Sequence, residues 1–111
     1  MPHDAEKLLF DMRSAAERIG RFVAGKTLDD YVKDELLRSA VERQFEIIGE
    51  AMTRLIKQHQ AVAEKISDYR KISGFRNVLI HGYDAIDDVT SWGIITQKLP
   101  VLLREANALL S

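Results

Sequence analysis

Apolar residues along this chain recur at steps of three and four, the period of a helix that buries one face, and nowhere alternate with polar ones as a half-buried strand requires. The first stripe, Ala5, Leu8, Leu9, Met12, Ala16, Ile19 and Val23, stops before Gly25 and predicts helix one. Thr27 followed by Asp30 has the spacing of a capping box. It opens a second stripe through Tyr31, Leu37, Val41, Ile48, Met52, Leu55 and Ile56, which predicts one long helix to about Lys57. The connector from Gln58 to Ser67 has room for a helical turn or two around Ala61 to Ile66. Asp68 suits an N-cap for a third main helix, with Ile72, Phe75 and Leu79 on one face and an end at Gly82. The last helix starts near Asp84 to Asp88 and carries Val89, Trp92, Ile95, Leu99, Leu102, Leu103, Ala106 and Leu110. Within it Pro100 lacks an N–H and crowds the preceding turn, which predicts a kink.

Four long helices on short connections, with room for a short fifth, make an all-α, up-and-down antiparallel helical bundle. At 111 residues the chain is one domain, 1–111, too short for two. Phe45, Ile47 and Ala51 lie off the main stripe of the second helix and ask for cover that a small bundle lacks. A second copy of the chain would supply it, so the bundle is expected to be a homodimer.

Composition narrows the function. Hydrophobic residues at 46% and charged residues at 30% are the balance of an ordinary globular domain. The absence of cysteine excludes disulfides and thiolate metal sites and agrees with a cytoplasmic protein. The N-terminus has no apolar leader region, and no apolar run approaches a membrane span, so no membrane role is expected. A net charge of −1 argues against coating nucleic acid by bulk electrostatics, so any RNA contact is local. There is no glycine-rich phosphate loop and no pair of Glu-x-x-His elements; neither a cofactor nor a metal is expected.

The chemistry concentrates in eight residues, Arg76-Asn77-Val78-Leu79-Ile80-His81-Gly82-Tyr83. Arg76 and His81 are about 140° apart around an ideal helix, while Asn77 and His81 share a face. The long arginine can still swing toward an imidazole placed in the loosening turn before Gly82. Histidine exchanges protons near neutral pH, arginine offers a fork of donors to a phosphoryl group, and asparagine can orient the imidazole or hold a non-bridging oxygen. Those parts suffice for metal-independent RNA cleavage in which the 2′-hydroxyl attacks its own phosphate. The same two residues also suit a solvated helix end with a histidine favoured by the dipole, and spacing alone leaves both readings open.

Lys65, Arg70, Lys71 and Arg76 face only Asp68 in the same stretch, a local net of +3 that suits either a groove for RNA or a solvated face. Asp84, Asp87 and Asp88 follow as acids for a helix start. On the second helix Arg43, Glu46 and Glu50 fall on one face, Glu46 and Glu50 being candidate auxiliary groups for proton transfer. Gly49 in mid-helix marks a close packing contact. His3 and His59 are not placed for catalysis, and Trp92, Tyr31 and Tyr69 read as core or interface.

The pattern Arg76-Asn77-x-x-x-His81-x-Tyr83 resembles the motif of the HEPN superfamily, and specifically of the HepT-like toxins. The similarity extends to Glu42-Arg43-Gln44-Phe45-Glu46-Ile47-Ile48-Gly49-Glu50-Ala51 and to Tyr83, Asp87 and Trp92, covering about residues 4 to 110. The resemblance implies that Arg76 and His81 form a ribonuclease site, that Asn77 supports it, and that a dimer brings two motifs to a shared cleft. It further implies a toxin of the type VII, HepT/MntA-like, toxin-antitoxin systems acting on RNA, tRNA among the candidates. Its partner would be a minimal nucleotidyltransferase antitoxin that adds AMP to Tyr83. A bulky, negatively charged adenylate two residues from His81 would compete with RNA phosphate. The alternatives are a catalytically silent HEPN module that binds nucleotide or RNA or partners a nucleotidyltransferase, and a structural dimer with no active site.

Overall fold

Helix α1, His3–Phe22, forms on the first apolar stripe and buries Ala5, Leu8, Leu9, Met12, Ala15, Ala16 and Ile19. It stops where Gly25 takes a left-handed φ of +73°, a turn conformation that glycine adopts without steric cost. The computed structural model describes residues 1–74 and 88–111, and among these every regular element is helical.

Thr27 closes the expected capping box: its backbone N–H donates to the Asp30 carboxylate at 2.9 Å, and its Oγ1 accepts from the Asp30 N–H at 3.2 Å. The helix it starts, α2, is short, Leu28–Lys33. The single long helix expected from the second stripe is in fact two, because Asp34 leaves helical geometry and its carboxylate caps α3, Glu35–Gln58, by accepting from Leu37 N at 3.0 Å. The reason is facial. In one continuous helix Tyr31 and Leu37 would stand about 240° apart, and a break between them turns both inward. The Arg38 guanidinium takes up the carbonyls freed at the end of α2, those of Tyr31 and Val32.

The connector holds one short helix, α4, Gln60–Ala63, followed by buried Ile66 and by helical residues 69–74. The C-terminal arm comprises α5, Asp88–Gly93, a π-helical turn, Ile94–Lys98, and α6, Leu99–Leu110. Pro100 interrupts the regular α-helical pattern, as expected. It sits in the first turn of α6, and the turn before it widens so that Leu99 N–H donates to Ile94 O, five residues back. A proline tolerates a first helical turn, where its missing N–H is not needed, and the wider turn makes room for its ring.

Helices α1 and α3 run antiparallel, since Asp4 meets His59 and Arg18 meets Gln44. Trp92 of α5 lies against Tyr31 of α2, with ring centroids 5.5 Å apart, and Asn107 meets Arg13, so the C-terminal arm packs on α2 at its start and on α1 through its last helix. Gln44, a buried polar side chain, is satisfied by Arg18 at 3.2 Å. No helix among the described residues is long and apolar enough to cross a membrane.

The case for a second copy made from apolar flanks does not survive. Phe45 is 2% exposed and Ala51 4% exposed within one chain, and Ile47 packs against the same core. Helix α1 covers the flank of α3 that carries Ala51, and Phe45 lines a cavity together with Ile94, Leu99 and Leu102 of the C-terminal arm.

The bond between His59 Nε2 and Asp4 Oδ2, 2.8 Å, ties the end of α3 to the start of α1. It holds the Asp4 carboxyl below its ordinary value of 3.8. A depressed carboxyl stabilises the fold above the unfolded value and loses that contribution as pH falls through the folded one. Thermal melts of Asp4→Asn should therefore show a lower Tm than the parent near neutrality, the two curves converging in acid below the ordinary carboxylate range. A difference that persists unchanged there would reject the link.

Candidate functional site

Arg76, Asn77, His81 and Tyr83 lie outside the described residues, and what the structure shows is the frame on either side of them. The chain passes toward Arg76 from Gly74, where Ser73 Oγ and Thr53 Oγ1 of α3 share a hydrogen bond of 2.6 Å. It returns at Asp88, whose carboxylate stands 3.8 Å from Arg38 Nε near the start of α3. Thr53 and Arg38 are about 22 Å apart along the helix, and Arg38, Glu42, Gly49 and Thr53 share one stripe of it. Gly49 is buried on this stripe, in keeping with a close contact, and its carbonyl accepts from Thr53 Oγ1 at 2.8 Å.

Charge on the stripe is graded. Burial pushes the Glu42 carboxyl up, and Arg38 opposes the shift while Asp88 and Glu46 add to it. Beneath it Tyr31, 1% exposed, bonds Ser91, and burial pushes its phenol up to about 12, so it stays protonated through the physiological range. Tyr31 is thus a core residue, and Trp92 is partly buried against the same core. Tyr69 is half-buried against the core with the Arg70 guanidinium 5.3 Å over its ring.

The candidate auxiliary acids, Glu46 and Glu50, each pair with an arginine of their own helix. Glu46 accepts from Arg43 Nη1 at 3.4 Å, and Glu50 from Arg54 Nε at 3.1 Å. Both pairs rim a groove of about 450 Å³ between α1 and α3, floored by Leu8, Ile47 and Ala51 with Asp11 at its edge. Arg43 pairs with Glu46, whereas Glu50 has its arginine one turn further on. Exposed pairs of this kind contribute a few tenths of a kcal/mol, roughly 0.3–0.5 each.

The basic strip is present on the described side of the motif: Lys65, Arg70 and Lys71 are exposed, and the one acid among them, Asp68, is engaged by Lys98 at 3.3 Å. Asp68 does precede a helix, but with a left-handed φ of +59° in place of the extended backbone of an ordinary N-cap. Sequence reading missed two features here. Nothing in the local pattern pairs Ser67 with Glu105, 38 positions away, or His59 with Asp4, 55 away.

The family model described as "Ribonuclease HepT-like" matches residues 12–109, a span that includes the whole Arg76 to Tyr83 octet. The chain belongs to the HepT-like ribonuclease family. It is 28% identical over 102 residues to "Putative RNase MJ1380" of Methanocaldococcus jannaschii, covering 92% of this chain and 93% of that protein. It is 34% identical over 88 residues to "Putative RNase TTE0752" of Caldanaerobacter subterraneus subsp. tengcongensis, 79% of this chain and 78% of that one. With "Probable ribonuclease HepT" of Thermococcus cleftensis it shares 28% over 102 residues, 92% of each. No solved structure matches the chain. The HepT-like assignment bears out the resemblance read from the motif and places the helical frame in the HEPN superfamily.

Proposed function

We propose that the chain is a metal-independent endoribonuclease, the toxin of a HepT/MntA-type pair, with Arg76 and His81 as its catalytic residues and Asn77 in support. One observation carries this reading: a HepT-like match that runs without a break through an intact Arg-Asn-x-x-x-His-x-Tyr motif. In the reaction His81 takes the proton of a 2′-hydroxyl, whose oxygen attacks the adjacent phosphorus and expels the 5′ oxygen. Arg76 balances the charge that builds on the phosphoryl oxygens. In a homodimer that brings two motifs to one cleft, the second imidazole, protonated, gives the departing oxygen its proton.

The exposed cations Lys65, Arg70 and Lys71, with Asp68 neutralised by Lys98, suit an RNA strand approaching the motif from this side. Adenylylation of Tyr83 by a minimal nucleotidyltransferase antitoxin in the cytoplasm would place a phosphodiester where the RNA phosphate must sit and silence the cleft.

The test is direct. Unmodified protein, its Tyr83 checked by mass, is incubated with tRNA and with mixed cellular RNA in excess EDTA, before and after adenylylation. Cleavage by the unmodified form that is lost on adenylylation is the expected result. Intact RNA with Tyr83 unmodified would overturn the ribonuclease reading in favour of a silent binding module.

A further inference from the structure

The eight residues before Gly74 are pinned more tightly than a connector needs to be. Ile66 is 1% exposed in the core. Ser67 donates twice to one carboxylate, from its backbone N–H to Glu105 Oε1 at 2.9 Å and from its hydroxyl to Glu105 Oε2 at 2.8 Å. Asp68 is the one non-glycine residue with positive φ among those described, and Lys98 Nζ holds its carboxylate at 3.3 Å. Its carbonyl accepts from Ile72 N at 3.0 Å, so the first helical turn starts on the strained residue itself. Ser73 then bonds Thr53.

An aspartate before a helix ordinarily takes extended backbone, as Asp34 does, and caps with its own side chain. Here the carboxylate is drawn off to Lys98 and the backbone is left-handed, a conformation that aspartate takes as a single residue at a small cost. The tethers run from the π turn and α6, on one side, and from α3, on the other. They do little for local helix stability and much for helix direction. Gly74 is about 9 Å along the helix from Asp68, so a tilt of about 10° at the start moves it by more than 1 Å, and it is the point from which the chain passes to Arg76.

We propose that Glu105 and Lys98 form a clamp on Ser67 and Asp68 that aims the helix leading into the motif, which makes them positioning residues for the ribonuclease reaction. The inference rests on the ribonuclease reading for its effect on turnover and on the described contacts for the clamp itself. Misplacing a catalytic group by 1 Å costs on the order of a hundredfold.

The test separates stability from turnover. Asp68→Gly removes the cost of the left-handed backbone together with the Lys98 tether, so its Tm should equal or exceed the parent's while kcat for RNA falls about tenfold or more and KM stays within about twofold. Glu105→Ala should lower kcat similarly, and Glu105→Gln, which keeps a carbonyl acceptor, should recover part of the loss. Should Glu105→Ala fail to fold, Asp68→Gly and Lys98→Met carry the comparison. Folded variants that keep the parent's kcat overturn the clamp, as does a loss matched by the unfolded fraction. Where the parent itself leaves RNA intact, the ribonuclease reading falls and amide exchange over residues 69–74 decides the clamp separately. Faster exchange there in Glu105→Ala upholds it, and unchanged exchange overturns it.

Discussion

Replacing His81 by alanine is expected to abolish measurable RNA cleavage, a loss of about 10²–10⁴-fold or more, with the helical fold and Tm retained. The size follows from the work assigned to the imidazole. A positioned general acid or base contributes about 10²–10⁴-fold, and a site that uses one imidazole to take a proton and another to give it back loses both in a symmetric dimer. Arg76→Ala should also fall by about 10²–10³-fold, the range seen when one donor to a developing oxyanion is removed. Arg76→Lys should recover little, because an ammonium keeps the charge without the planar fork. Both variants should relieve growth inhibition in cells that lack an antitoxin. Circular dichroism and a thermal melt must accompany the assay: a His81→Ala chain that unfolds would mark a core histidine, and one that folds and still cleaves would remove His81 from the reaction.

Phe45→Ala should produce the largest loss of stability, about 3–5 kcal/mol, lowering Tm by more than about 10 °C in a domain of this size. The ring is 2% exposed within one chain, packed between α3 and the C-terminal arm, so the loss should not depend on protein concentration. Melts across a wide concentration range check this. A gap between parent and variant that widens with concentration would show that Phe45 is covered by a second copy, which is what the apolar pattern alone suggested and what the chain's own packing contradicts. A dimer, if its cleft joins two motifs as proposed, must therefore be held by other surfaces.

The first stripe, from Ala5 to Ile19, was legible because α1 buries one face against a single side of the core, and a one-sided helix writes its burial into a period of 3.6. The Thr27 and Asp30 box was legible for a related reason: a cap is made by residues three apart, so its signal is local. The candidate site was legible because its groups sit within eight consecutive residues of types suited to proton transfer and phosphoryl contact, inside the span of the HepT-like match. Where periodicity misled, the deciding term was not local. The break at Asp34 follows from the need to turn both Tyr31 and Leu37 inward, and a helical pattern can be drawn through either side of it. The π turn before Pro100 makes room for the proline ring, and the apolar stripe runs unchanged through it. Phe45 and Ala51 looked uncovered because a stripe analysis allots each helix one face, whereas the chain's own packing buries both. The sequence by itself determined the helical class, the Thr27 cap and the residue types of the candidate site, all of which rest on contacts within a few positions. Only the tertiary structure decided which flanks are filled and which distant side chains, Glu105 on Ser67, Lys98 on Asp68 and His59 on Asp4, hold the frame around the motif, because contacts between residues 30 to 55 positions apart leave no periodic trace in the chain.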